Sequence, residues 1–327
     1  MRGTLEPNLA LFRCVVGWAI VELVELDYFR WMTASNPSST KRLLSPAMLA
    51  SKAECLVYAD VQHDVSLAVW QNQADYVPTH NKHLHTLSLY LEGGQNTYRA
   101  DMKNRLGGPG KLCFFPADHY SEWVVGKQLR LLHLYFTDTH LNYLGLTAFD
   151  MDPRLLQLPD LTFESDPQLI AGLQCLLANM HPTDMSNRLL LQDVQQQLIL
   201  YLLSQYSQRK PEPVRGGLSP KAKSRVLDYM QANLDQDINL EQLADEACLS
   251  TYHFAHMFKQ STGLSPYQFL SKQRMSLAAA ELREAVPVGR VGEHCGYDNP
   301  SRFARVFRGE FGVAPKIYQQ AVSQSRL

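Results

Sequence analysis

The chain has 327 residues, 45% of them hydrophobic and 19% charged, with a net charge of −1. These values exclude a disordered or fibrous chain and predict two or three domains, each with its own core. The near-neutral sum hides an asymmetry: from Arg215 onward Lys and Arg number 14 against 11 Asp and Glu, and upstream 17 against 21. This bias fits nucleic-acid contact at the C-terminal end, though a solvated surface would look similar. Cys14, Cys55, Cys113, Cys175, Cys248 and Cys295 stand singly, without a C-x-x-C pair. They read as buried free thiols in a reducing cytoplasm rather than as a disulfide framework.

Residues 1–47 form an extension with no assigned fold. Within it Leu9–Met32 is apolar but interrupted by Arg13, Glu22, Glu25 and Asp27, which argues against the ~20 uninterrupted apolar residues of a membrane span. A docked amphipathic segment fits better, as does translation starting at Met32 or Met48. No membrane partner is expected.

Between Leu56 and Phe136 the chain breaks into short apolar or alternating runs (VSLAVW, HTLSLYLEGG, GKLCFFP, SEWVV, LRLLHLYF) punctuated by glycine and proline. This rhythm predicts a small antiparallel β-sandwich or barrel over residues 48–150. Trp70, Tyr90, Phe114, Tyr120 and Trp123 are either its core or the lining of a pocket. His80, His83, His85, His119 and His133 have the residue type of a metal site, but no glutamate stands in a suitable frame. The expectation is therefore no metal and no cofactor.

Helical periodicity follows at Pro167–Met180 and Ser186–Tyr206, within a segment 151–207. The second helix carries Leu189, Leu190, Leu191, Val194, Leu198, Leu202 and Leu203, a face that suits either core against the β domain or a dimer contact. Gln208–Gly217, with two prolines and a glycine pair, predicts a linker at 208–218.

The remaining domain, 219–322, opens with a helix at Pro220–Leu234 and repeats itself. Ile238, Leu240 and Leu243 match Val286, Val288 and Val291 at an offset of 48, and Phe254, Phe258, Gly263, Pro266 and Phe269 match Phe303, Phe307, Gly312, Pro315 and Tyr318 at an offset of 49. Each copy reads as helix, tight turn, helix. In the first, Asn239 and Gln242 form a capping box, Cys248-Leu249 make the turn and Ser250 caps the second helix. Phe254, Met257 and Phe258 then point inward and leave Tyr252, His253, His256 and Lys259 outside. In the second, Asn299 caps with Pro300 at the first helical position. Phe303, Val306 and Phe307 turn inward; Ser301, Arg302, Arg305 and Arg308 turn outward. Arginine forks suit phosphate and the guanine edge. The connecting helix Pro266–Arg283 is long enough, at ~1.5 Å per residue, to set two reading helices about one duplex turn apart.

The segments LADEACLSTYHFAHMFKQSTGLSPYQFLSKQRM and VGEHCGYDNPSRFARVFRGEFGVAPKIYQ closely resemble the two halves of the AraC/XylS-type DNA-binding domain, over roughly Pro220–Gln320. The resemblance implies a cytoplasmic bacterial transcription regulator, often an activator, with promoter DNA as partner and RNA polymerase as a further one. Its reading positions fall on Tyr252, Ala255, His256, Ser301 and Arg305. Three departures stand out: His256 where arginine is frequent, Gly292 in place of a helix alanine, and Gln319 where a terminal arginine is common. The front half, with His80-Asn-Lys-His83-Leu-His85, Leu91-Glu-Gly-Gly94, Gly110–Pro116 and His119, resembles a cupin-like sensor domain. That resemblance implies a small-molecule effector held by His80, His83, His85, Tyr90, His119 and Trp123, and favours a homodimer through the 151–207 helices. A cupin metalloenzyme with a DNA-binding tail and a sequence-indifferent architectural binder are the competing classes. The chain shows no Gly-rich phosphate loop, no G-x-S-x-G elbow and no carboxylate pair, so an enzyme is not expected.

Overall fold

A computed structural model describes residues 43–180, 185–209 and 216–324. Residues 1–42 of the extension, with Leu9–Met32, and the middle of the linker, 210–215, lie outside the described residues, while 43–47 join the β domain. Among the described residues no helix is long and apolar enough to cross a membrane.

The β domain starts with a one-turn helix, α1 (Pro46–Ala50), capped by Ser45. Eight strands follow: β1 (Glu54–Gln62), β2 (Val65–Asn72), β3 (Asp75–His80), β4 (Leu84–Gly93), β5 (Thr97–Arg99), β6 (Leu112–Phe115), β7 (Tyr120–Val125) and β8 (Leu129–Thr137). With β10 (Leu161–Glu164) they form two antiparallel sheets, ordered β1-β2-β8-β4-β6-β10 and β3-β7-β5. The expected β-sandwich is thus present, open rather than closed into a barrel. Trp70, Tyr90, Trp123, Tyr135 and Phe163 fill the space between the sheets.

The large sheet is covered on both faces, which is why β2 and β8 are buried along almost their whole lengths. Its second face, with Leu67, Leu87, Phe114, Leu132, Leu134 and Phe136 fully buried, is covered by three helices. These are α2 (Asp138–Phe149), α3 (Pro167–Ala178) and α4 (Met185–Tyr206), which contact β8 and β1. The α3 start is fixed by Asp166, whose carboxylate accepts from the Gln168 and Leu169 N–H groups.

Three features differ from the sequence expectation. Helix α2 lies within the 48–150 span expected to be a β-sandwich, just past the last strand-like run at Phe136, and was not foreseen because its short apolar face gives a weak periodic signal. Strand β10 comes from the segment read as helical and pairs with β6; Leu161-Thr-Phe-Glu is too short to announce its period. Gln208–Arg209 (β11) is not linker but pairs with Leu156–Gln157 (β9). Leu198, Leu202 and Leu203 of α4 are buried within the single chain, which makes that face core.

The C-terminal domain is all helical: α5 (Pro220–Ala232), α6 (Leu240–Glu246), α7 (Thr251–Thr262), α8 (Pro266–Arg283), α9 (Val288–His294), α10 (Pro300–Phe311) and α11 (Pro315–Gln324). Its two halves have separate cores. Val226, Met230, Leu243, Phe254, Phe258 and Phe269 build one; Met275, Leu282, Val291, Phe303, Phe307 and Tyr318 build the other. Helix α8 contributes to both, with Phe269 near its start and Leu282 near its end.

Candidate nucleic-acid interface and β-domain cavity

In the first helix-turn-helix the expected capping box is present: the Gln242 N–H donates to Asn239 Oδ1 at 2.9 Å, and the Asn239 N–H to Gln242 Oε1 at 2.9 Å. The turn passes through Cys248 at φ 55°, its thiol exposed rather than buried as expected because the turn lies at the surface, and Ser250 accepts from the His253 N–H to start α7. In the second, Pro287 stands where Asn239 does, and α9 has no side-chain cap. Gly296 takes the turn at φ 68°, and Asn299 Oδ1 accepts from the Ser301 and Arg302 N–H groups to start α10. Both second helices end on a left-handed glycine, Gly263 and Gly312, so the repeat extends to the caps.

Phe254, Phe258, Phe303 and Phe307 are buried, and their burial aims the opposite faces outward. Tyr252, His253, His256 and Lys259 are exposed on α7, with Ala255 half-buried between them; Ser301, Arg302, Arg305 and Arg308 are exposed on α10. Tyr252 is 87% exposed, a degree that no packing role explains. Arg302 lies 6.0 Å from the Tyr297 ring, which Arg274 flanks at 5.7 Å. Among the described residues Lys259, Arg302, Arg305 and Arg308 make no ion pair. The α10 face thus presents three exposed arginines, and the α7 face one lysine among polar and aromatic side chains.

The two sheets of the β domain enclose a cavity of about 50 Å³ whose lining includes Thr86, Ser88, Tyr90, Thr97, Trp123 and His133. Alternation along β4 explains its polarity. His85, Leu87 and Leu89 face one side, and Thr86, Ser88 and Tyr90 face the other. Here the leucines go to the helices and the hydroxyls to the cavity. Thr86 and Thr97 are each only 1% exposed, and their Oγ1 atoms have no hydrogen-bond partner. No Asp, Glu, Lys or Arg lines the space. Burial holds the His133 imidazole neutral, its pKa pushed down to about 3. Its Nδ1 lies 2.7 Å from the Tyr135 hydroxyl, which accepts from Trp70 Nε1 at 2.9 Å. The hydroxyl proton is then free for Nδ1, which leaves the imidazole proton on Nε2.

Of the six residues expected to hold an effector, Tyr90 and Trp123 line the cavity. His80 pairs with Asp118 at 2.8 Å and His83 with Asp138 at 3.0 Å, both at the surface. His85 lies on the opposite face of the large sheet, stacked on Phe114 and Phe136, with Nε2 2.9 Å from Asp138. His119 faces Asp160 at 3.7 Å. Chain order puts these histidines near one another, but turns and strand alternation disperse them. Among the described residues no three His, Cys, Asp or Glu side chains converge as metal ligands do. Thr86, Ser88 and Thr97 were not foreseen; the hydroxyl face of HTLSLY was a signal for the first two, and nothing in the sequence marked Thr97.

The family model described as a helix-turn-helix domain matches residues 243–321. The multiple antibiotic resistance protein MarA of Salmonella typhimurium is 30% identical over 95 residues, which are 29% of this chain and 75% of that protein. The MmsAB operon regulatory protein of Pseudomonas aeruginosa is 26% identical over 305 residues, 88% of this chain and 92% of that protein. Three further relatives are matched over only 34% to 44% of their own lengths. Among solved structures, the DNA-binding domain of AdpA, a global transcriptional factor in complex with a target DNA, is 28% identical. It covers 32% of this chain and 96% of that one, with a TM-score of 0.32.

Fold and motif together define a tandem helix-turn-helix transcription regulator that binds DNA. The chain belongs to the AraC/XylS family.

Proposed function

We propose that this regulator reads two successive major grooves on one side of the duplex and is controlled by a small molecule held between its sheets. Tyr252, His253, Ala255, His256 and Lys259 form the first reading face; Ser301, Arg302, Arg305 and Arg308 form the second. The observation that carries the reading is the pair of exposed faces, repeated in sequence and in capping, each backed by buried phenylalanines. The 18 residues of α8 rise about 27 Å at ~1.5 Å each, which with the helix widths suits one duplex turn of ~34 Å.

The effector part rests on the cavity. Buried hydroxyls without partners are costly, about 1–3 kcal/mol each, and a ligand with hydrogen-bonding groups removes that cost. The lack of any charged lining residue favours an uncharged ligand, since an anion would be desolvated with no counter-charge. On the measure by which one water needs ~10–15 Å³, the space suits a compact molecule. Thr86→Val, nearly isosteric, is expected to raise the stability of the unliganded protein by about 1 kcal/mol and to abolish the thermal shift given by effector. Screening small neutral polyols, amides and lactones against matched carboxylates by thermal shift checks the class; binding confined to the carboxylates would contradict it.

Activation through RNA polymerase and a cytoplasmic location belong to the same proposal, as do domain limits of 219–322 for the DNA reader and, for the β domain, the expected 48–150 extended to 164 because β10 completes the large sheet. A homodimer would serve paired DNA sites, but Leu198, Leu202 and Leu203 are taken up inside the chain, so its contact uses another surface. No catalytic step is included, because the histidines that would serve a metalloenzyme do not converge.

A further inference from the structure

The β domain and the DNA reader meet at a polar contact outside both reading faces. The β1–β2 turn reaches the C-terminal end of α10, where the last helical carbonyls have no donor within their own helix. The His63 N–H donates to the Glu310 carbonyl at 3.0 Å. The Gln192 amide, from α4, donates to the Phe311 carbonyl at 3.3 Å and to the Val61 carbonyl at 3.0 Å. The β domain thus caps the second reading helix.

At the centre of the contact Lys272 Nζ, midway along α8, donates to Asp64 Oδ2 at 2.8 Å and to Glu310 Oε1 at 3.1 Å. Lys272 and Asp64 are both buried. Burying charges carries a desolvation penalty that is offset only while each partner is in place with good geometry, so the triad tolerates one arrangement and penalises others. One member belongs to the β domain, one to the helix joining the two readers, and one to α10. Arg302, Arg305 and Arg308 remain exposed while the contact is made. The contact therefore orients α10 without covering it.

We propose that Lys272 is a positioning residue for DNA recognition: with Asp64 and Glu310 it holds α10 to the β domain, so that the β domain sets the placement of the second reader. The inference rests on α10 being a DNA reader, and goes beyond it in naming what fixes its position. Asp64→Asn is the informative variant, since it keeps shape and leaves the Lys272–Glu310 pair inside the DNA reader intact.

The test uses full-length protein, with two readouts. In the absence of DNA, hydrogen exchange of the amides at residues 306–312 is expected to be about tenfold faster in Asp64→Asn, with α7 unchanged. On DNA selected by the wild type from a random pool, Asp64→Asn is expected to bind fivefold or more weakly. That loss should disappear when the α10 segment of the site is scrambled, and should be absent when Asp64→Asn is added to Lys272→Met. Exchange within twofold of wild type, or a loss shared equally by both halves of the site, would overturn the proposal. If the wild type selects no sequence, the reading of the two faces fails, while the exchange comparison still decides the contact.

Discussion

Arg305 is the residue on which base reading most directly depends. It projects from the middle of α10 without an ion pair among the described residues, and its guanidinium has the fork geometry that matches a guanine edge. Arg305→Ala is expected to cost about 1–3 kcal/mol on selected DNA and far less on scrambled DNA, measured by titration at one salt concentration. An equal loss on both would assign it to phosphate. The two turns offer a second residue-scale test. Cys248 and Gly296 occupy equivalent left-handed positions, but a Cβ on Gly296 would meet the Leu234 carbonyl oxygen at 2.8 Å and Arg274 Nη2 at 2.6 Å. Gly296→Ala is therefore expected to lose at least about 1–2 kcal/mol, from the left-handed backbone and the overlap together. Cys248→Ala should be neutral to within ~0.5 kcal/mol; urea unfolding measures both.

Among the elements, α8 could be read from sequence to the residue, Pro266–Arg283, because proline at its first position and the apolar stripe agree. The tandem helix-turn-helix was equally legible, since a repeat at a fixed offset declares itself without a structure. Strand β10 and helix α2 were not, being short and stabilised by what they pack on rather than by their own pattern. Tyr90 and Trp123 of the cavity were legible in the sequence, but His85, an odd number of residues from Tyr90 along β4, falls on the opposite face, and the alternation that groups Thr86 with Ser88 did not set that face inside. In HTLSLY, leucines ordinarily mark the core side and hydroxyls the solvent side, but a sheet buried on both faces breaks that rule. The α3–α4 pair has its own sensitive point in Gly172, where any Cβ would overlap the Leu198 side chain. Gly172→Ala is expected to destabilise by about 1–3 kcal/mol in thermal or urea unfolding, with the helices pushed apart.

At the scale of the whole molecule, stability should depend on pH in two windows. His63 is hydrogen-bonded to Asp64 and faces the charges of Asp64, Glu310 from α10 and Lys272 from α8; the sum raises its pKa above 6.5. Burial pushes the Asp64 carboxyl up, but the His63 hydrogen bond and the Lys272 charge outweigh it and hold it well below the usual range. A raised histidine stabilises the fold below about 6.5 and loses that contribution as pH rises through its folded value. His133 and His140 act in the opposite sense. Burial lowers both to about 3, from 6.5, so stability falls as pH drops from about 6.5 toward 3. Unfolding free energy measured from pH 4 to 9 should therefore peak near pH 6 to 7, with His63→Gln flattening only the alkaline side.

Two faces of one chain are proposed to read DNA sequence. Selection from a random DNA pool with purified full-length protein at near-physiological salt, followed by titration of the recovered sites against versions with each part scrambled, tests it most directly. The expected result is a motif of two parts about one helical turn apart, bound at least ~1,000-fold tighter than fully scrambled DNA, with each scrambled part costing affinity separately. Recovery of no shared motif, or equal affinity for all of these DNAs, would contradict it.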